Sequence, residues 1–193
     1  VYMPWLGKKA YDGIMAAYTA ASRKNGKKYI PLIKNATQLY VIERGALCGV
    51  VLDGSYNLTE ANYKTSLQNM VDRVLITDKD GNQIGVVEDT AAQQKYGVVQ
   101  TVYKQEDGKD AQTEAKALLQ TLEQTGSVTG CQGDSRAVSG YALIVQETTT
   151  GLFGKFYIES DTHTFTDGKH EMALTLAFSN MMDEKEIENQ SQG

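Results

Sequence analysis

The stretch SDTHTFTDGKHEMALTL, residues 160–176, holds both histidines of the chain, His163 and His170, with Asp161, Asp167 and Glu171 around them. Imidazoles and carboxylates this close in sequence can serve two chemistries. They can ligate a metal: Zn²⁺ takes about four inward-pointing ligands at ~2.0–2.1 Å from nitrogen. They can also supply a general base and the carboxylate that orients it, given a nucleophile elsewhere in the chain.

The register of the stretch decides how far each goes. Asp167-Gly168 is a two-residue turn signal, which pairs Thr166 with Lys169. Phe165 then faces His170, His163 faces Met172 and Asp161 faces Leu174. Both histidines fall on one face as diagonal neighbours, ~7–8 Å apart. That spacing is loose for one metal ion, and Glu171 lies on the opposite face. The same register creates a conflict. Met172, Leu174, Leu176 and Phe178 form a core face, yet unbroken pairing would turn Phe156 and Ile158 outward. One extra residue near Ser160-Asp161 repairs it, so a β-bulge is expected there.

For the nucleophile, Ser135 in GCQGDSR is the candidate, with His170 as base and Asp167 orienting it. Gly133-Asp134-Ser135 and the Asp-x-x-His spacing resemble blocks of the esterases that begin with Gly-Asp-Ser. Those esterases are α/β folds with several crossovers between serine and histidine. Here the intervening residues read as strands, and the oxyanion-hole Gly and Asn blocks are missing. The triad is set aside in favour of a Gly-Asp-Ser turn that feeds a strand over Tyr141–Glu147. DKDGNQIGVVED begins like a calcium loop with Asp78, Asp80 and Asn82. Its sixth position is Gln83 instead of Gly and its twelfth Asp89 instead of Glu; a hairpin turn is the better reading. No catalytic, metal or cofactor residue is therefore assigned.

The elements that must position these residues follow from periodicity. GKKAYDGIMAAYTAASRKNG is a helix with an apolar stripe of Ala10, Ile14, Ala17 and Ala21, flanked by Tyr11, Met15 and Tyr18. It stops at Gly26. From residue 29 the period becomes two. KYIPLI, with Pro31, reads as an edge strand or lead-in. QLYVIERG is a second strand. VDRVLITDKDGNQIGVVED is a hairpin about Asp80-Gly81, with Val74 and Ile76 on one arm and Ile84 and Val86 on the other. TAAQQKYG is a short helical turn and VVQTVYKQ a strand. DAQTEAKALLQTLEQTG is a second long helix, capped by Asp110 and ended at Gly126, with Ala111, Ala115, Leu118, Leu119 and Leu122 inward. Strands in YALIVQE, GLFGKFYIES and HEMALTLAF close the chain. This order excludes regular βαβ winding. It predicts an α+β, mainly β fold: an antiparallel barrel or sandwich with two packed helices. Residues 1–50 are expected to end or lead in from a preceding domain. Residues 51–182 are expected to form the β-barrel domain with an inserted helix over 110–125, and 183–193 a solvated tail.

Composition narrows the classes. The 193 residues are 41% hydrophobic and 22% charged, ordinary for a globular domain. A net charge of −5 argues against a phosphate-backbone binder. No apolar run reaches the ~20 residues of a membrane span. Cys48 and Cys131 are expected as free thiols, with a disulfide between them left open. The patterns at Asn35 and Asn57 match glycosylation acceptors but are given no weight, since no secretion pattern precedes them. Starting at Val1 is what a piece or processed form of a longer protein would show.

An ordered set of motifs resembles one family. GLFGKFYIES, DTHTF and GKHEMALTLAF are similar to the C-terminal segment of phage tail hub proteins. There a strand leads to a histidine, a Gly-bearing turn and a closing alternating strand. EAKALLQTL, VTGCQGDSRAVSGYALIV, NMVDRVLITDKDG and the Tyr/Ala-rich helix before YVIERG agree in order. The chain resembles hub proteins of PBSX-type defective prophages and contractile-tail bacteriocins, relatives of late control protein D. The resemblance implies a non-enzymatic baseplate hub that links the tail tube to the central spike. It further implies a trimer, with a tube protein, a spike protein and a LysM-bearing tail protein as partners. No membrane and no specific nucleic acid would be bound. Such a protein is made in the bacterial cytoplasm and resides in the virion tail baseplate. The competing expectation is a serine or metal-dependent hydrolase of the cell wall.

Overall fold

A computed structural model describes residues 9–186. The described residues up to Tyr63 and from Thr125 onward form one compact unit, and Lys64–Gln124 form a second.

The first unit opens with α1 (Ala10–Asn25), closed by Gly26 in the left-handed conformation with its N–H bonded to Ser22 O at 2.7 Å. The inward stripe is Met15, Ala16, Thr19 and Ser22, and not the alanine stripe read from the sequence. Two hydroxyl residues can be buried here. Thr19 Oγ1 donates to Met15 O at 2.8 Å and accepts from Lys185 N at 3.1 Å, so it carries no unmet polar group inward. A hairpin follows, β1 (Tyr29–Lys34) and β2 (Gln38–Glu43), forming a two-stranded sheet of its own. Pro31 sits opposite Val41 in this sheet, where both strands are edges and its missing N–H is tolerated.

The main sheet of this unit has six strands: β3 (Leu47–Asp53), β4 (Glu60–Ser66), β8 (Glu123–Gln132), β9 (Ala142–Glu147), β10 (Leu152–Thr166) and β11 (Lys169–Ala177). Their order is β3-β9-β10-β11-β8-β4, with β3 parallel to β9. Consecutive strands β3 and β4 therefore end on opposite edges, and the chain between them carries Leu58 into the core. The sheets are open and sandwich-like, so the closed-barrel alternative does not hold. The core gathers Leu52, Val128, Leu143, Val145, Leu152, Ile158 and Leu176, all with at most 1% exposure. Burying such side chains contributes ~1.5–3 kcal/mol each.

The second unit has a three-stranded sheet of β5 (Arg73–Thr77), β6 (Gln83–Glu88) and β7 (Gln100–Lys104), in the order β6-β5-β7. Two short helices accompany it, α2 (Thr90–Tyr96) and α3 (Ala111–Ala117). The described residues thus hold three helices, with α2 the short helical turn expected over TAAQQKYG. Val74, Ile76, Tyr103 and Ala115 are its buried core, joined by Val87, Ala111 and Leu119. Ile84 and Val86 stay exposed on the other face, since Val74 pairs with Val87 and Ile76 with Gly85. Asp110 caps α3 as expected, accepting from Thr113 N at 2.7 Å. The helix is much shorter than its periodicity suggested. Gln120 exchanges both main-chain hydrogen bonds with Val71, and the chain is in strand β8 by Glu123. Gly126 lies inside that strand, packed near Leu152 and Leu176, and is no helix stop.

Residues 183–186 stay largely exposed and bond back to α1 and to Lys28 just beyond it. Asp183 accepts from Tyr11 Oη at 3.0 Å, Glu184 pairs with Lys28 at 2.8 Å, and Glu186 pairs with Arg23. Residues 187–193 of the expected tail lie outside the described residues. No helix among the described residues is long and apolar enough to cross a membrane.

Candidate functional site: the histidine pair under the 133–140 loop

The hairpin of β10 and β11 has the register that its turn dictates. Thr166 pairs with Lys169, Phe165 with His170, His163 with Met172 and Asp161 with Leu174. Asp167 and Gly168 both take positive φ at the turn, 50° and 74°. The bulge is present but sits earlier than expected. Pairing is continuous across Ser160–Thr162, and the unpaired residue is Glu159, between Ile158 and Ser160. The physical need is met all the same: Ile158 faces Leu176, and Phe156 and Ile158 are buried at 5% and 0% exposure. The bulge also hands Glu159 to Arg44, whose buried guanidinium donates to Glu159 Oε2 at 2.6 Å.

Past the bulge, one face of the hairpin carries Asp161, His163 and, at its exposed end, Phe165, opposite Leu174, Met172 and His170. A loop over 133–140 bonds to it at three points. Gly133 N donates to His170 O at 2.8 Å, Ser139 N to the Asp161 carboxylate at 2.6 Å, and Gly140 N to Ile158 O at 3.0 Å. Gly133 has no side chain where one would collide with the His170 ring.

The two imidazoles meet. His163 Nδ1 lies 2.8 Å from His170 Nε2, and His163 Nε2 lies 3.1 Å from Ala137 O. Asp161 Oδ2 stands 3.5 Å from His163 Nε2. The His170 ring stacks on Phe165 at 4.1 Å between centroids, 18° from parallel. Strand register gave these residues as loose diagonal neighbours. Their rings close the gap by swinging toward each other, which backbone spacing does not show.

This geometry bears on each sequence candidate. His170 Nε2 is taken up by His163, and among the described residues neither ring nitrogen of His170 is bonded to Ser135 or Asp167. Asp134 is committed to Arg136 through a two-point pair at 2.9 and 2.6 Å. Those bonds, with the Arg136 main-chain N–H, hold its carboxyl down at about 2. Among the described residues no group of three or more His, Cys, Asp or Glu could hold a metal ion. Glu171 lines an open groove of about 390 Å³ with Lys169, His170, Gln132, Asn57 and Tyr56. At the calcium-like loop, the Asp78 carboxylate accepts from Asp80 N, Asn82 N and Asn82 Nδ2, so it stabilises its own turn. Asp89 caps α2. Both cysteines are free; Cys131 is buried in the core, which pushes its thiol up to about 11.

Known proteins match this chain over most of its length. The model of the family described as YQBQ-like matches residues 4–177. The chain belongs to the YQBQ-like family. Among relatives of this YQBQ-like chain is the phage-like element PBSX protein XkdQ of Bacillus subtilis (strain 168), 26% identical over 192 residues. That match covers 90% of this chain and 56% of XkdQ. The 43 kDa tail protein of prophage MuSo2 from Shewanella oneidensis shares the fold. Its TM-score is 0.53 at 14% identity, over 77% of this chain and 49% of that one. A tail protein from Neisseria meningitidis MC58 aligns with a TM-score of 0.48 at 14% identity, over 84% of this chain and 54% of its own. The chain thus spans about half the length of these relatives.

Proposed function

We propose that this YQBQ-like chain is a structural component of a phage-like tail, serving as part of the baseplate hub that joins the tail tube to the central spike. The 26% identity to XkdQ, a protein of the phage-like element PBSX, over 90% of this chain carries this reading. The fold shared with a prophage tail protein supports it. In the assembled particle it acts as a trimer, with tube, spike and a LysM-bearing tail protein as neighbours. The unit of the described residues up to Tyr63 and from Thr125 onward serves as the hub domain proper, with Lys64–Gln124 as a second unit between its two segments. The protein is made in the bacterial cytoplasm and ends in the virion tail baseplate, without a membrane or a specific nucleic acid as partner. Its net charge of −5 suits a conduit that DNA passes without sticking.

In this role the protein is not an enzyme. The engagement of His170 by His163, and of Asp134 by Arg136, favours histidines that build a loop over histidines that activate a serine. Co-expression with the tube and spike proteins of the same tail gene cluster tests the reading. The expected result is a co-purifying complex holding three copies of this chain, with no peptidoglycan hydrolysis. A chain that stays alone and cleaves peptidoglycan, with cleavage lost in Ser135→Ala or in His163→Ala/His170→Ala, would overturn it.

A further inference from the structure

We infer that His163 and His170 form a proton-counting latch that fastens the 133–140 loop to the β10–β11 hairpin and opens on double protonation. The inference is independent of the tail role. It starts from the acceptor at one end of the pair. Ala137 O can only accept, so His163 Nε2 carries a proton and donates to it. In the neutral ring, His163 Nδ1 is then an acceptor, and His170 Nε2 must be the donor across the 2.8 Å contact. This leaves His170 Nδ1 as the one open nitrogen of the pair. A first added proton enters there without disturbing either bond. A second would place hydrogens on both facing nitrogens, which a 2.8 Å separation cannot hold. The rings must part, and the loop loses its tie through Ala137 O.

The surrounding charges are consistent with a device of this kind. On the hairpin, Asp161 stands 3.5 Å from His163 Nε2, and Lys169 and Glu171 flank His170. On the loop, Asp134 and Arg136 neutralise each other at 2.6 Å. On β8, the neighbours opposite Glu171 and Met172 are Gln132 and the buried thiol of Cys131. Asp161 also accepts from Ser139 N, so loop, carboxylate and histidines form one connected set.

The test is nitrogen-15 NMR of the full chain with labelled histidines, scanned from about pH 8 to about pH 4 across the ordinary imidazole range. At the start both rings should be in the Nε2–H form. The first proton should leave the Ser139 and Gly140 amides unchanged; the second should raise their hydrogen exchange together. His163→Gln separates this from titration of Asp161. A glutamine amide can donate to Ala137 O and accept from His170, so the acid-induced rise in exchange at Ser139 should disappear. Finding His163 protonated at Nδ1 in the neutral pair would overturn the latch, and that measurement needs no variant. So would an unchanged acid transition at Ser139 in His163→Gln.

Discussion

Gly133 packs against the imidazole of His170, with its N–H bonded to His170 O at 2.8 Å and no room for a β-carbon. This one contact turns the GCQGDSR block from a nucleophile candidate into a seat for the hairpin. Gly133→Ala should force the ring off the loop and cost ~1–3 kcal/mol, the usual range for overpacking. A urea titration measures it. Ser135→Ala in the same block should leave the midpoint nearly unchanged.

The bulge at Glu159 sets the register of the core on both sides. Deleting Glu159 would restore unbroken pairing and turn Phe156 and Ile158 outward. Loss of two buried side chains at ~1.5–3 kcal/mol each should cost at least ~3 kcal/mol. Glu159→Gln keeps the bulge and an acceptor for the buried Arg44 guanidinium and removes only the half-exposed negative charge, so it should cost less than the deletion, ~1.5 kcal/mol. Thermal unfolding of the two variants beside the parent gives the comparison. Similar losses in both would show that the charge, and not the register, is what matters.

Two carboxylates should make the fold sensitive to acid. Asp134 is held at about 2 by Arg136, and Glu147 at about 2 by the hydroxyl and main-chain N–H groups of Thr150 and Thr149. Both values lie below the ordinary carboxyl range of about 4. Their stabilisation is therefore complete above that range and is lost as pH falls from about 4 toward about 2. In Asp134→Asn/Glu147→Gln, the urea midpoint should fall less steeply across that window than in the parent chain.

The segment 183–186 is tied to α1 and the turn after it mostly by exposed ion pairs with Arg23 and Lys28. Salt at about 1 M shortens the screening length to ~3 Å and should loosen it. Hydrogen exchange at Asp183–Glu186 should rise with salt, while exchange at Leu174 and Leu176 in β11 should not. Equal protection of the segment at low and high salt would show that the hydrogen bonds of Thr19 and Tyr11 hold it.

The sequence made the hairpin legible because the Asp167-Gly168 turn and the strict alternation of Met172, Leu174 and Leu176 leave one register. The conflict between that register and Phe156/Ile158 revealed the bulge. Its place was less legible, since Glu159, Ser160 and Asp161 are all polar and a bulge leaves no residue-type mark among them. The length of α3 was hidden for another reason. Leu118, Leu119 and Leu122 keep helical spacing, but Gln120 pairs with Val71, and a tertiary contact overrides local preference. At the site, residue types and register put both histidines on one face. Their direct contact depends on side-chain torsions and on a loop that packs over them, and neither is written in strand spacing.

The central claim is a structural place in a tail particle, and cryo-electron microscopy of tails purified from an induced host tests it most directly. The expected result is three copies of this fold at the junction of tube and spike, with the β10–β11 hairpin resolved. Particles that are complete without this chain would contradict the account.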